Sequence, residues 1–291
     1  ITNLKSIRST DYAGLFGFIE EITVQDLGLI DVNISGRFYV GGLVGFSKFS
    51  NISNTFVYGF INGTRAGGLI GQMDYGRINN SYFDGTLTGS TLGGVVGYNG
   101  GGKIIKTYSR GYINGSNSDT GGLIGYTENS DIKLSFSNAR VKGTQYVGGL
   151  VGKFVSGTLN DSFATGNVTG STSHTGGLVG SVSSGMFFNV YASGNVSGNS
   201  NVGGLIGYAQ TLSLTDAFVT GYSSGSNDVG GFIGRFDGSS LTRTYWNNHT
   251  SNPDECIVSN NGGGMCSVIS NNEAYFYSST NSPMNNWDFV S

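Results

Sequence analysis

Large apolar side chains recur along this chain at a fixed interval. Ile52, Ile78, Ile104, Ile132, Leu159, Phe187, Leu214 and Leu241 are separated by 26, 26, 28, 27, 28, 27 and 27 residues. Four residues after each stands an aromatic ring: Phe56, Tyr82, Tyr108, Phe136, Phe163, Tyr191, Phe218 and Tyr245. Five residues further on lie Ile61, Leu87, Ile113, Val141, Val168 and Val196, giving way to Ser223 and Thr250. A Gly–Gly pair followed by two apolar residues and a third Gly keeps the same period. Its second glycine falls at Gly42, Gly68, Gly94, Gly122, Gly149, Gly177, Gly204 and Gly231. An imperfect copy at 13–17 precedes the first pair. Several columns moving together through eight copies exceed what biased composition produces, and they mark an internal repeat.

Each unit holds three short apolar stretches separated by Gly, Asn, Ser and Thr, none long enough for the face of a helix. The even spacing from Ile52 to Phe56 predicts that both lie on one face of a strand. The apolar column and the aromatic column are therefore both expected inside. One unit cannot bury that face, whereas stacked units can, at the ~4.8 Å strand spacing. The glycines are expected at corners, where the backbone turns with positive φ or lies against the next coil. These patterns predict an all-β chain, a parallel β-solenoid (a three-sided β-helix) of about nine coils of ~27 residues. Its rod would be roughly 40 Å long. Leucine-rich repeats need a different Leu/Asn register, and WD-type blades need ~40 residues.

The ends depart from the repeat. Residues 1–36 read as the first coil and N-terminal cap region, 37–245 as the repeats, and 246–291 as a C-terminal cap. Trp and Phe rings near the chain end, including Trp246, Phe276, Trp287 and Phe289, are expected to cover the last coil, whose bare strand edges would otherwise aggregate.

Composition narrows the class. Gly supplies 51 of 291 residues and Pro only 2, which excludes collagen. Aromatics at 12% and a net charge of −3 argue against ordinary disorder. The 15 basic residues form no stripe, so nucleic acid is not an expected partner. No apolar run is long enough to predict a membrane-spanning helix. The opening residues 1–6 lack an apolar signal core, so a secretion signal is expected upstream. Cys256 and Cys266 sit close together in a polar loop, and a local disulfide in an oxidising compartment is the reading they favour. Sequons at Asn33, Asn51, Asn62, Asn79, Asn114, Asn160, Asn167, Asn195 and Asn248 are candidate glycan acceptors in a secreted chain.

The repeated Gly-Gly-Leu-Val/Ile-Gly string resembles the GLUG-motif repeat, named for Gly-Leu-Val/Ile-Gly. Its clearest copies occupy 41–45, 67–71, 121–125, 148–152, 176–180 and 203–207, with Val95 and Phe232 replacing Leu in two others. The Tyr245–Trp246 pair and the closing Trp287-Asp288-Phe289 resemble the usual ending of such arrays. The resemblance implies a large secreted or surface-anchored microbial protein, such as an adhesin. Some relatives accompany IgA-specific metallopeptidases, but no His-Glu-x-x-His stands here and only His174 and His249 are present.

Catalysis would need paired carboxylates or a nucleophile with its base on adjacent coils. The best column lies two residues before the aromatics: Asn54, Asn80, Lys106, Leu134, Asp161, Asn189, Asp216 and Arg243. Asp161 and Asp216 stand two coils apart, ~9–10 Å, a spacing that suits an inverting glycosidase pair. Outward Asn/Asp ladders that serve the coil itself are the simpler reading. His174 and His249 are expected as solvated turn residues. The Gly-rich strings lack the helix a phosphate loop requires. No cofactor and no metal site are expected. The sequence therefore points to a non-enzymatic extracellular structural or adhesive module of a microbial surface protein or fibre that contacts glycans, host or neighbouring surface proteins, or other copies of itself end to end or laterally. A polysaccharide-cleaving enzyme using Asp161 and Asp216, and a self-assembling filament subunit, are the alternatives.

Overall fold

The computed structural model describes residues 1–9, 11–248, 252–270, 272 and 274–287. It is a parallel β-solenoid of about nine turns at ~27-residue spacing. Each strand pairing recorded between coils is parallel, as in Arg77↔Lys103, Lys103↔Asp131 and Asp131↔Thr158. The second complete coil shows the plan, with strands at Val44–Lys48, Asn51–Ser53 and Phe56–Gly67. The last of these carries two pairing stretches. Arg65-Ala66-Gly67 pairs with Thr91-Leu92-Gly93, so the segment entering each glycine pair adds a fourth short ladder to the predicted three.

The predicted core column is in register from coil to coil: Ile52↔Ile78↔Ile104↔Ile132↔Leu159↔Phe187↔Leu214↔Leu241. All are buried except Leu241, which is half-exposed in the last full coil. The two apolar residues after each glycine pair, from Leu43–Val44 to Phe232–Ile233, are also buried. β-Branched and aromatic stacking of this kind yields a continuous dry interior.

The aromatic column is not part of that interior. Phe56, Tyr82, Tyr108, Phe136, Phe163, Tyr191 and Tyr245 are half-exposed, and the rings form a ladder on the outer surface. From Phe56 to Phe218 their centroids are 4.6–5.3 Å apart and their planes lie within 10°. The physical reason is a bend. The residue two before each ring adopts left-handed backbone, with φ between 48° and 58° from Asn54 to Arg243. That turn breaks the two-residue alternation of a continuous strand, so the inward position shifts to the residue after the ring. Val57, Phe83, Ala164, Ala192, Val219 and Trp246 occupy it and are buried.

The motif glycines are not the positive-φ corners that the sequence predicts. None of Gly42, Gly68, Gly94, Gly122, Gly149, Gly177, Gly204 and Gly231 has positive φ. They are required by close approach. A methyl on Gly68 would overlap the ring of Phe83, and one on Gly231 would overlap Trp246. At Gly149 it would run into the Gly177 carbonyl of the next coil. The glycine thus makes room for the inward residue after each ring.

The C-terminal segment divides its work. Ile257–Asn260 and Ser267–Ser270 pair onto the last coil. The Cys256–Cys266 bridge, Cα–Cα 6.4 Å, joins the two segments against the core. Residues 274–287 pack on Tyr245 and Ile269 of the last rungs and reach back along the outer ladder to Phe218 and Tyr191. Two short 3-10 turns, Tyr275–Tyr277 and Met284–Asn286, place Phe276 on the ring of Phe218 at 4.5 Å and 8°. Phe276 thereby takes the next rung of the stack. Tyr245 instead donates its hydroxyl to Ser282 Oγ at 2.8 Å. Asp288 and Phe289, like His249 and Thr250, lie outside the described residues. At the opposite end, Lys5–Ile7, Tyr12–Ala13, Phe16–Glu20 and Thr23–Gln25 are paired on one side only.

Candidate interaction surfaces

The column holding Asp161 and Asp216 forms a corner, and its side chains bond along the solenoid axis. Asn and Asp tolerate left-handed backbone better than most residues. Asn54 donates to Asp26 at 3.0 Å, Asn80 to Asn54 at 2.8 Å, and Asn189 to Asp161 at 2.8 Å. Arg243 clamps Asp216 through two bonds of 2.6 Å, one to each carboxylate oxygen. Asp216 is only 6% exposed, and its acceptors face this guanidinium rather than a cleft. The neighbouring Asp216 carboxylate in turn raises the pKa of Arg243, mainly through that hydrogen bond. Lys133 Nζ approaches Asp161 at 3.9 Å. The two acids are in the same column, as predicted, but Asn189 separates them and each is held by a neighbour of the opposite or complementary character.

A hydroxyl column absent from the sequence reading completes this corner. Thr55, Ser81, Thr107, Ser135 and Ser162 are buried immediately before the rings. The amides of Thr55, Thr107 and Ser135 donate to the hydroxyls of Ser81, Ser135 and Ser162 on the next coil. These bonds satisfy backbone groups that the bend removes from the strand ladder. The signal was a Ser or Thr at one fixed offset in five consecutive coils.

Another outer wall carries tyrosines and cations. Arg65 lies 4.6 Å from the centre of the Tyr98 ring and also bonds Gln72. Lys153 lies 5.0 Å from Tyr146, and Arg235 5.6 Å from Tyr208. Tyr98 and Tyr126 donate to Glu128 at 2.9 and 3.2 Å, and Tyr208 to Asp237 at 2.8 Å. Burial is the main reason that the hydroxyls of Tyr98, Tyr126 and Tyr208 titrate above their usual range, with the acceptor carboxylates adding to it. Burial also raises Asp119. His174 is not a solvated turn residue. It is half-buried in a left-handed corner and stacked on Tyr146 at 5.1 Å, and its pKa is lowered first by burial and then by the charges of Arg235 and Lys153. The wall is nearly balanced in charge and offers hydroxyls and ring edges.

None of the sequon asparagines is fully buried. Asn33, Asn51, Asn167 and Asn195 are exposed, whereas Asn62, Asn79, Asn114, Asn160 and Asn248 are half-buried. Asn167 and Asn195 also accept backbone amides of the following coil at 3.0 and 3.1 Å. Among the described residues there is no cluster of His, Cys, Asp and Glu able to hold a metal ion, and no helix long and apolar enough to cross a membrane. Comparison of the chain with protein-family models, curated proteins and solved structures gives no match.

Proposed function

We propose that this chain is a non-enzymatic, extracellular structural or adhesive module, part of a microbial surface protein or extracellular fibre of the kind its GLUG-like repeats imply. Its rigid polar walls contact glycans or neighbouring surface proteins. The observation that carries this reading is the corner column, in which the two acids that could cleave a polysaccharide serve the coil instead. The bonded Cys256–Cys266 pair fits an oxidising compartment. Repeated weak contacts along one rigid wall gain strength through effective concentration.

Incubation with a panel of immobilised and soluble polysaccharides tests the reading. Retention without release of reducing ends is expected. Release by the parent chain that disappears in Asp161→Asn or Asp216→Asn would establish the enzymatic alternative. End-on assembly has an observation of its own: the one-sided strands of the first coil expose Ile7 and Phe18 at 68% and 49%. Light scattering across a concentration series would detect it, and a strict monomer throughout would count against it.

A further inference from the structure

The two ends of the rod are built differently. One buried column runs its whole length, from Phe16 through Val44 and Ile70 to Ile233 and Ile257. Its last member, Ile257, is 7% exposed, whereas its first, Phe16, is 38% exposed. At the C-terminal end the loop 261–266 crosses the core rather than following the coil: a methyl on Gly264 would overlap both Leu241 and Phe236. The Cys256–Cys266 bridge ties that loop down. Nothing comparable closes the first coil. Lys5–Ile7, Tyr12–Ala13, Phe16–Glu20 and Thr23–Gln25 pair with the second coil, and no described segment pairs onto their other side. A bare edge of this kind is a template for another strand. The closed far end cannot continue all of its ladders, so a head-to-tail copy does not match it.

The first coil is instead complementary to itself. A two-fold axis through Gly17, perpendicular to the rod, sets Phe16–Glu20 antiparallel to the same strand of a second copy. Phe16 of each copy then stands opposite Phe18 of the other, a cross-strand aromatic pair. Followed round the coil in both directions, the same axis brings Tyr12 opposite Ile22 and Ile7 opposite Leu27. Tyr12, Ile22 and Ile7 are all exposed in the single chain. Charges match as well. Arg8 meets Asp26, while Asp11, Glu20 and Glu21 meet Thr23, Gly14 and Ala13, so no acid of this coil faces another. A two-fold axis preserves the hand of the winding. The two end coils therefore stay one strand spacing, ~4.8 Å, apart around the whole perimeter.

We propose that two copies of this chain join first coil to first coil about this axis, through antiparallel pairing of their open edges. The contact is isologous, so it uses up both edges and stops at two chains, where a head-to-tail contact would grow into a filament. The proposal rests on the end-on reading above and turns it from a fibre into a closed pair.

Sedimentation equilibrium of the full chain across a concentration series tests it, and twice the chain mass with nothing larger is expected. Phe18→Lys should weaken the dimer tenfold or more and leave the circular dichroism of the coils unchanged, because Phe18 is 49% exposed. Arg8→Glu should weaken it too, and Arg8→Glu combined with Asp26→Lys should restore it. The corner column of Asp26 already holds a lysine at Lys106, also with left-handed backbone, so that exchange is tolerated by the fold. Gly17→Cys has room, since a methyl there would meet nothing nearer than 3.6 Å. It should link two chains through residue 17 under mild oxidation, because the same position of both copies meets on the axis. A dimer indifferent to Phe18→Lys and unlinked by Gly17→Cys would overturn the proposal. Species that keep growing with concentration and form no link at residue 17 would overturn the closed pair and leave end-on assembly standing. A strict monomer at every concentration would overturn both.

Discussion

Replacing Ile132 by alanine removes three carbons from a site with no exposed surface. Its register partners Ile104 and Leu159 are equally buried, and the parallel ladders fix their backbones on both sides. Three carbons at ~0.8 kcal/mol each give about 2.4 kcal/mol of lost transfer energy. Neighbours held by ladders on both sides collapse little into the void, so the cavity adds to this and the total should reach about 3–4 kcal/mol. Ile132→Asp should cost more, because a carboxylate in a dry column has no partner. Burial raises the folded-state pKa of that new acid above the unfolded value of ~3.9. The pH-dependent part of its penalty is therefore absent below about pH 4 and develops as pH rises toward the folded value, while the cost of the unpaired neutral carboxyl remains at every pH. Urea unfolding followed by far-ultraviolet circular dichroism, at neutral pH and near pH 4, measures both. An alanine variant within about 1 kcal/mol of the parent, or an aspartate variant indifferent to pH, would refute the stacked interior.

Three further outcomes follow from the geometry. Gly149→Ala should already be severely destabilising, because a methyl there meets the Gly177 carbonyl, whereas Gly238→Ala, whose methyl would meet nothing nearer than 3.8 Å, should melt within a few degrees of the parent. Reducing the Cys256–Cys266 bridge, which spans ten positions, should destabilise the cap by about 3 kcal/mol; limited proteolysis should then cut the C-terminal segment before the coils, and simultaneous cleavage throughout would contradict this division. Burial pushes the Tyr191 hydroxyl from 10.0 up to about 12. Because the folded value is the raised one, its stabilising effect is complete below about pH 10 and lost as pH climbs toward 12. Tyrosinate absorbance should show this late-titrating group disappear in Tyr191→Phe, and an unchanged titration curve would contradict the burial of that hydroxyl.

The coil period and the core column were legible because stacking demands the same residue type at the same offset. Ile78, Ile104 and Ile132 could be placed inside before any backbone was known. The facing of the rings was not legible from alternation alone. The bend before each ring is set by local backbone, and residues such as Leu134 and Arg243 occupy left-handed positions their types do not advertise. The glycine pairs were recognised, but their reason lay in the neighbouring coil: Gly68 is small because Phe83 lies over it. At the candidate site, Asp216 and Arg243 already stood in one column of the sequence. Their pairing was readable once adjacent column members are treated as touching. The docking of the C-terminal segment was hidden, since no column of the repeat reaches the position from which Phe276 stacks on Phe218.

Pulsed electron resonance between spin labels on one ladder tests the stack most directly. Arg77, Met186 and Ser240 are exposed members of a single in-register column, linked through Lys103, Asp131, Thr158 and Ser213. With labels introduced as cysteines and the native bridge kept intact, the Arg77–Met186 pair spans four coils and the Arg77–Ser240 pair six. The separations should be about 19 and 29 Å, growing linearly with the number of coils crossed. Distances that alternate between short and long, or fail to increase from the first pair to the second, would contradict a parallel solenoid.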